Sequence, residues 1–149
     1  MSYLNRHVLC GIYASSYRKP SFDEVSLVFI YNPSLNFNTP KNTILLPTTS
    51  SGIYNFTVDW GDNKTSFIRD WNDTSCLHVY PNETPRIIQI KGIFTQLKVI
   101  YNNLSYIEIL QWGVNNYTYF NETWKSCANL KNTALDKINT ELVTSFKGA

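Results

Sequence analysis

Tyr54-Asn55-Phe56-Thr57-Val58-Asp59-Trp60-Gly61-Asp62-Asn63-Lys64-Thr65-Ser66-Phe67-Ile68 reads as a β-hairpin. Tyr54, Phe56, Val58 and Trp60 alternate with Asn55, Thr57 and Asp59, so an extended chain turns one apolar face to a core and one polar face to water. Gly61 to Lys64 supplies the turn, because Gly and Asn tolerate positive φ. Thr65 to Ile68 returns along the first strand. A shift of one residue would bury Asn55, Thr57 and Asp59 instead, so the apolar set fixes the register.

Working outward, Val25–Tyr31 is an apolar run broken by Asn32-Pro33-Ser34, and Thr43–Leu46 is a short strand stopped by Pro47. On the other side, His78-Val79-Tyr80, Arg86–Lys91 ending at Gly92, Leu97–Tyr101 and Tyr106–Trp112 read as further strands. After Gly113 the pattern changes. Phe120, Trp124 and Cys127 are spaced i, i+4, i+7, which predicts one helical face, with Asn121 as its cap and Glu122 at its positive end. Leu135, Ile138 and Leu142 repeat that spacing more weakly. Thr118-Tyr119-Phe120 and Thr144-Ser145-Phe146 form an echo 26 residues apart, a period within the leucine-rich-repeat range. Residues 1–22 lack a clear period and read as an extended arm.

Composition agrees with a mainly β chain of one-domain size. The 149 residues are 43% apolar, 15% aromatic and only 16% charged, which argues against intrinsic disorder. Polarity comes from 17 Asn, 14 Thr and 13 Ser, side chains that favour turns over helix interiors. A net charge of +2 leaves no large basic footprint for nucleic acid, and no apolar run approaches the length of a membrane span.

The motif residues together resemble a known combination. Val58-Asp59-Trp60-Gly61-Asp62-Asn63, then His78-Val79-Tyr80, then Ile88-Gln89-Ile90-Lys91-Gly92 resembles the PKD-like domain, whose pattern runs DWGDG, HxY, xVxIxG. Ile109-Leu110-Gln111-Trp112-Gly113, followed by Phe120 and by Trp124-Lys125-Ser126-Cys127-Ala128-Asn129-Leu130, resembles the first unit of BspA-like leucine-rich-repeat surface proteins. In that family such a module directly precedes the repeats. The resemblance implies a PKD/immunoglobulin-like β-sandwich over 25–112, an N-terminal arm over 1–24, and an incomplete, short helical leucine-rich-repeat-like tail over 113–149. It also implies that Asp59, Trp60, Gly61, Asp62, His78, Tyr80, Trp112, Trp124 and Cys127 are motif residues, with His78 packed beside Trp60. Asn63 stands where the family has glycine, and Pro81 to Pro85 replaces a Pro-Gly-x-Tyr element.

Candidate chemistry is sparse. Asp59 and Asp62 are weak calcium candidates, since two carboxylates are few for a six- to eight-oxygen site; Asp62 shaping the turn and Asp59 bonding nearby backbone is the alternative. His7 and His78 are the only histidines, and neither has metal-ligand spacing. No nucleophile motif, P-loop or dinucleotide fingerprint occurs, so no catalytic residue, metal or cofactor is expected. Trp71, Asp70 and Asp73, together in a polar loop, are the candidate ligand-binding residues: an aromatic there stacks on a sugar, anchors a partner, or folds back on the sheet. Cys10, Cys76 and Cys127 read as free, mostly buried thiols. Seven Asn-x-Ser/Thr sequons (Asn55, Asn63, Asn72, Asn82, Asn103, Asn116 and Asn121) suit either glycosylation or an Asn- and Thr-rich turn chemistry.

These readings lead to a non-enzymatic structural or binding module displayed on a surface. The start of the chain shows no export signal and its cysteines read as free, which favours a minor structural or decoration protein of a virion capsid or tail over a bacterial surface adhesin or a carbohydrate-binding module. The expected partners are copies of the chain or other capsid or tail proteins, reached through the N-terminal arm and the C-terminal tail, with glycans as a further class.

Overall fold

The computed structural model describes residues 22–37, 40–99, 103–120, 123–125 and 127–146. The N-terminal arm up to residue 21, His7, Cys10, Tyr101, and the capping residues Asn121 and Glu122 lie outside the described residues.

The chain is mainly β. Its strands are β1 (Leu27–Tyr31), β2 (Thr43–Leu45), β3 (Tyr54–Asp59), β4 (Thr65–Ile68), β5 (Leu77–Val79), β6 (Arg86–Phe94), β7 (Tyr106–Gln111) and β8 (Lys131–Asn132). Among the described residues, six form one sheet in the order β4-β3-β6-β1-β7-β8, and β2 and β5 form a second, two-stranded sheet. All pairings are antiparallel except β7 with β8, which is parallel.

The hairpin has the register its alternation requires. Tyr54, Phe56, Val58 and Trp60 are buried, while Asn55 and Thr57 are exposed and Asp59 is half-exposed. The turn puts Gly61 at φ 76° and Asn63 at φ 64°, the left-handed region that Gly and Asn enter at low cost. The two sheets pack in a sandwich-like arrangement around one core that takes Phe29 and Tyr31 from β1, Val58 and Trp60 from the hairpin, Ile88 and Ile90 from β6, and Ile44 with Tyr80 from the opposite side. Polar stitches cross between the layers: the Tyr31 hydroxyl donates to the Thr43 carbonyl at 3.1 Å, and the Tyr80 hydroxyl donates to the Trp60 carbonyl at 3.1 Å.

Three local expectations are corrected. The strand expected to end at Gly92 continues to Phe94. Gly92 lies at φ 129°, directly opposite Phe56, and a Cβ there would come within 2.7 Å of Phe56 Cα, so glycine lets two strands run on where another residue would break the pairing. No strand forms over the described part of 97–101. Lys98 N–H donates to Pro47 O and Val99 N–H to Thr123 O, so neighbouring amides bond to different segments rather than to one ladder.

The third correction concerns the tail, where the described residues contain no helix. Thr123 N–H bonds Phe120 O, Cys127 N–H bonds Trp124 O and Leu130 N–H bonds Cys127 O, a run of isolated three-residue turns instead of a helical ladder. The Phe120 N–H and the Thr123 carbonyl are committed elsewhere, to Ser145 O and Val99 N. The i, i+4, i+7 spacing of Phe120, Trp124 and Cys127 is met by a chain that turns repeatedly over the same core.

What replaces the helix is a stack of coils. Thr118 N–H donates to Thr95 O, Thr133 N–H to Ile109 O, and Thr144 N–H to Thr118 O, each bond joining chain segments 23 to 26 residues apart. Glu108 and Ile109 pair with Lys131 and Asn132 at the same offset. The described residues of 95–112 are thus a first tier, those of 118–136 a second, and 140–146 the start of a third. The first tier contains β7, so the sheet of the sandwich runs into the stack without a break. The echo seen in the sequence is literal, with the Phe120 and Phe146 rings stacked 5.9 Å apart and 22° from parallel.

Candidate functional site

The motif residues of the hairpin and of β5 converge at the open end of the turn. Trp60 follows β3 and is fully buried; His78 sits mid-β5, and Tyr80 follows that strand. Strand alternation sends His78 and Tyr80 inward with Ile44, and there the His78 ring stacks on Trp60, centroids 4.7 Å apart and 5° from parallel. Tyr80 meets His78 edge-on at 4.7 Å. His78 Nε2 lies 2.9 Å from Asp62 Oδ2. Burial works to raise the Asp62 pKa, but the bond to His78 and the Lys64 N–H outweigh it, so the carboxyl sits below its ordinary 3.8. An ionised carboxylate only accepts, so Nε2 carries the hydrogen and donates it. Arg86 lies over the Tyr80 ring at 5.4 Å, and Tyr80 is held far above its usual range, first by burial.

This cluster is a packed junction. Asp59 Oδ1 accepts from Gly61 N–H at 2.9 Å and Asp62 Oδ1 from Lys64 N–H at 3.3 Å, so both calcium candidates spend oxygens on the turn itself. Among the described residues, no three His, Cys, Asp or Glu side chains gather in a way that could hold a metal ion.

The Trp71 loop is separate. The Trp71 side chain is 45% exposed, while its backbone is fastened: its N–H donates to Asp70 Oδ1 at 2.6 Å and its carbonyl accepts from Thr48 Oγ1 at 2.7 Å. Asp73 accepts from Ser75 N–H at 2.9 Å and from Arg69 N–H at 3.4 Å, and these backbone donors, Ser75 foremost, lower its pKa. The two carboxylates therefore stiffen the loop that presents the indole. Phe67, on the polar face of the large sheet, is also 45% exposed and lies under the Arg69 guanidinium at 4.8 Å.

The remaining motif residues belong to the coil stack. Trp112, Tyr117 and Phe120 form an aromatic cluster, with Tyr117 and Phe120 centroids 4.8 Å apart. Trp124 is partly buried and packs edge-on against Tyr106 at 5.5 Å. Cys127 is buried and free; burial pushes its thiol up to about 12, and burial also raises Cys76, so both stay protonated at neutral pH.

One residue without a sequence signal matters at the junction. Asp136 accepts from the backbone N–H of both Trp112 and Gly113, at 2.8–3.0 Å, and so ties the second tier to the end of β7. Only its 24-residue spacing from Trp112 could have marked it. An open cleft of about 460 Å³ lies beside it, lined by Glu24, Gln111, Leu135 and Lys137 among others. Of the polar groups there, Gln111 Nε2 donates to Asp23 O and Ser26 O, and Asp136 is spent on Trp112 and Gly113. No family model, curated protein or solved structure matches this chain.

Proposed function

We propose that the chain is a non-enzymatic structural or binding module displayed on a surface: a PKD-like sandwich that passes into leucine-rich-repeat-like coils, set in a virion as a minor capsid or tail component. The observation that carries the reading is the continuous sheet from β4 to β8, which joins the sandwich to the coil stack as one body. A unit of this kind holds whatever lies at its two ends at a fixed separation, the property a spacer or decoration protein needs. The motif side chains support it, because Asp59, Asp62, Asp73 and His78 are spent on turns and ring packing. Immunogold labelling with antibody against the folded chain tests this. Label on intact particles supports the virion placement, label confined to a cell envelope selects the adhesin reading, and label only in the soluble cell interior contradicts surface display.

The exposed Trp71 on its stiffened loop favours a second reading, a carbohydrate-binding module. A glycan array compares the chain with Trp71→Ala. Saturable binding to one sugar class that is lost in the variant selects this reading.

A further inference from the structure

The charges around Trp71 bear on which ligand its ring can take. The backbone of Trp71 is fixed on both sides, by Asp70 Oδ1 on its N–H and by Thr48 Oγ1 on its carbonyl. A ligand that stacks on the indole therefore has only the two side-chain torsions to order. Asp73 holds the loop from the other side through the Arg69 and Ser75 N–H groups. Asp70, Trp71 and Asn72 are exposed and Asp73 is half-exposed, so the ring is framed by two carboxylates. Arg69 beside them has its guanidinium over the Phe67 ring at 4.8 Å. Over residues 69–73 one positive charge stands against two negative ones, and the rim of the ring is acidic.

Ring and rim together select a class of sugar. An indole face attracts a run of C–H bonds, which a pyranose with equatorial hydroxyls offers on one side. Asp70 spends Oδ1 on the loop, which among the described residues leaves Oδ2 to accept. A carboxylate accepts a hydroxyl hydrogen and repels a second anion. We propose that the loop binds neutral pyranose sugars and turns away uronic, sialic and sulfated ones, with Trp71 stacking on the C–H face and Asp70 Oδ2 accepting a hydroxyl. A single ring with one hydrogen bond holds its sugar weakly, which suits a module displayed in many copies, where avidity supplies the rest.

The inference rests on the carbohydrate-binding reading of the loop, and sugar pairs that differ only in charge separate the two. Methyl β-glucoside is compared with methyl β-glucuronide, and methyl β-galactoside with methyl β-galacturonide, by ligand-observed NMR on the full chain. At least one neutral member should bind in the millimolar range. Its acid partner should bind at least about threefold more weakly at low salt, the scale of a unit charge facing a carboxylate a few ångströms away in water. Molar salt should close most of that gap. Asp70→Asn, which keeps Oδ1 for the Trp71 N–H, should narrow it without salt. Trp71→Ala should abolish binding of the neutral sugar, and Phe67→Ala, at the other exposed aromatic, should leave it unchanged. An acid member bound as tightly as its neutral partner at low salt, with Trp71 still required, overturns the selectivity and leaves the carbohydrate reading standing. A gap that neither salt nor Asp70→Asn narrows overturns it as well. No binding by any member, or binding that survives Trp71→Ala, overturns the loop as a sugar site and the inference with it.

Discussion

At the scale of residues, His78 links the turn of the hairpin to the second sheet. It stacks on Trp60 and donates to a carboxylate that is itself fixed by the Lys64 amide. Asp62 titrates lower in the folded chain than in the unfolded one. Its contribution to stability is therefore complete above 3.8 and is lost as the pH falls through the lower folded value. Asp62→Asn should cost about 1–3 kcal/mol at neutral pH, the scale of a hydrogen bond to a charged group. It should also flatten the acid limb, so that melting temperature falls less than in the parent between about pH 5 and pH 2. An acid limb as steep as the parent's would mean that other carboxylates carry the acid sensitivity. Gly92 gives a sharper steric test. Gly92→Ala puts a Cβ 2.5 Å from the Asn55 carbonyl oxygen at a φ of 129°, and should destabilise by at least about 1–3 kcal/mol in urea unfolding. A loss below about 0.5 kcal/mol would show that β3 and β6 do not approach so closely at this point.

At the scale of elements, most strands were legible, whereas the strand expected over 97–101 and the tail were misread. Period-two alternation survives in single strands because each residue of β3 faces either core or water, and the turn residues Gly61 and Asn63 mark where the chain reverses. β5 was legible as a strand over His78-Val79-Tyr80; it runs from Leu77 to Val79, and of its residues only His78 is buried. The stacking of His78 on Trp60 followed from resemblance alone, since nothing in the spacing of residues 60 and 78 brings two rings together. The tail misled because three apolar residues at i, i+4, i+7 satisfy both a helix and a coil that turns back on the core. The distinguishing signal was the long period: Thr118-Tyr119-Phe120 against Thr144-Ser145-Phe146, a spacing that helical neighbours do not use. Asp136 escaped notice for the same reason, as its partners Trp112 and Gly113 are one tier away.

Trp124 distinguishes the two accounts of the tail. A fully buried helical ring would lose about 3–5 kcal/mol on truncation. A half-buried ring resting on Tyr106 should lose about 2 kcal/mol in Trp124→Ala. Its indole N–H is buried and finds no partner among the described residues. Trp124→Phe keeps the ring contact and removes that donor, so its stability should stay within about 1 kcal/mol of the parent. A loss in Trp124→Phe as large as in Trp124→Ala would show that the N–H does have a partner.

At the scale of the whole molecule, the central claim is that sandwich and coils are one folded body. The parallel pairing of β7 with β8 and the bonds between tiers make the stack an extension of the sheet. The most direct measurement is native-state hydrogen exchange on the full chain, read at single amides. Thr118 N–H, bonded to Thr95 O, and Thr133 N–H, bonded to Ile109 O, should exchange within about tenfold of the slow amides of β1. Thr144, on the third tier, should exchange faster than both. Exchange of Thr118 and Thr133 at the rate of an unprotected chain, with β1 still protected, would show that the coils are not built on the sandwich and would contradict the account.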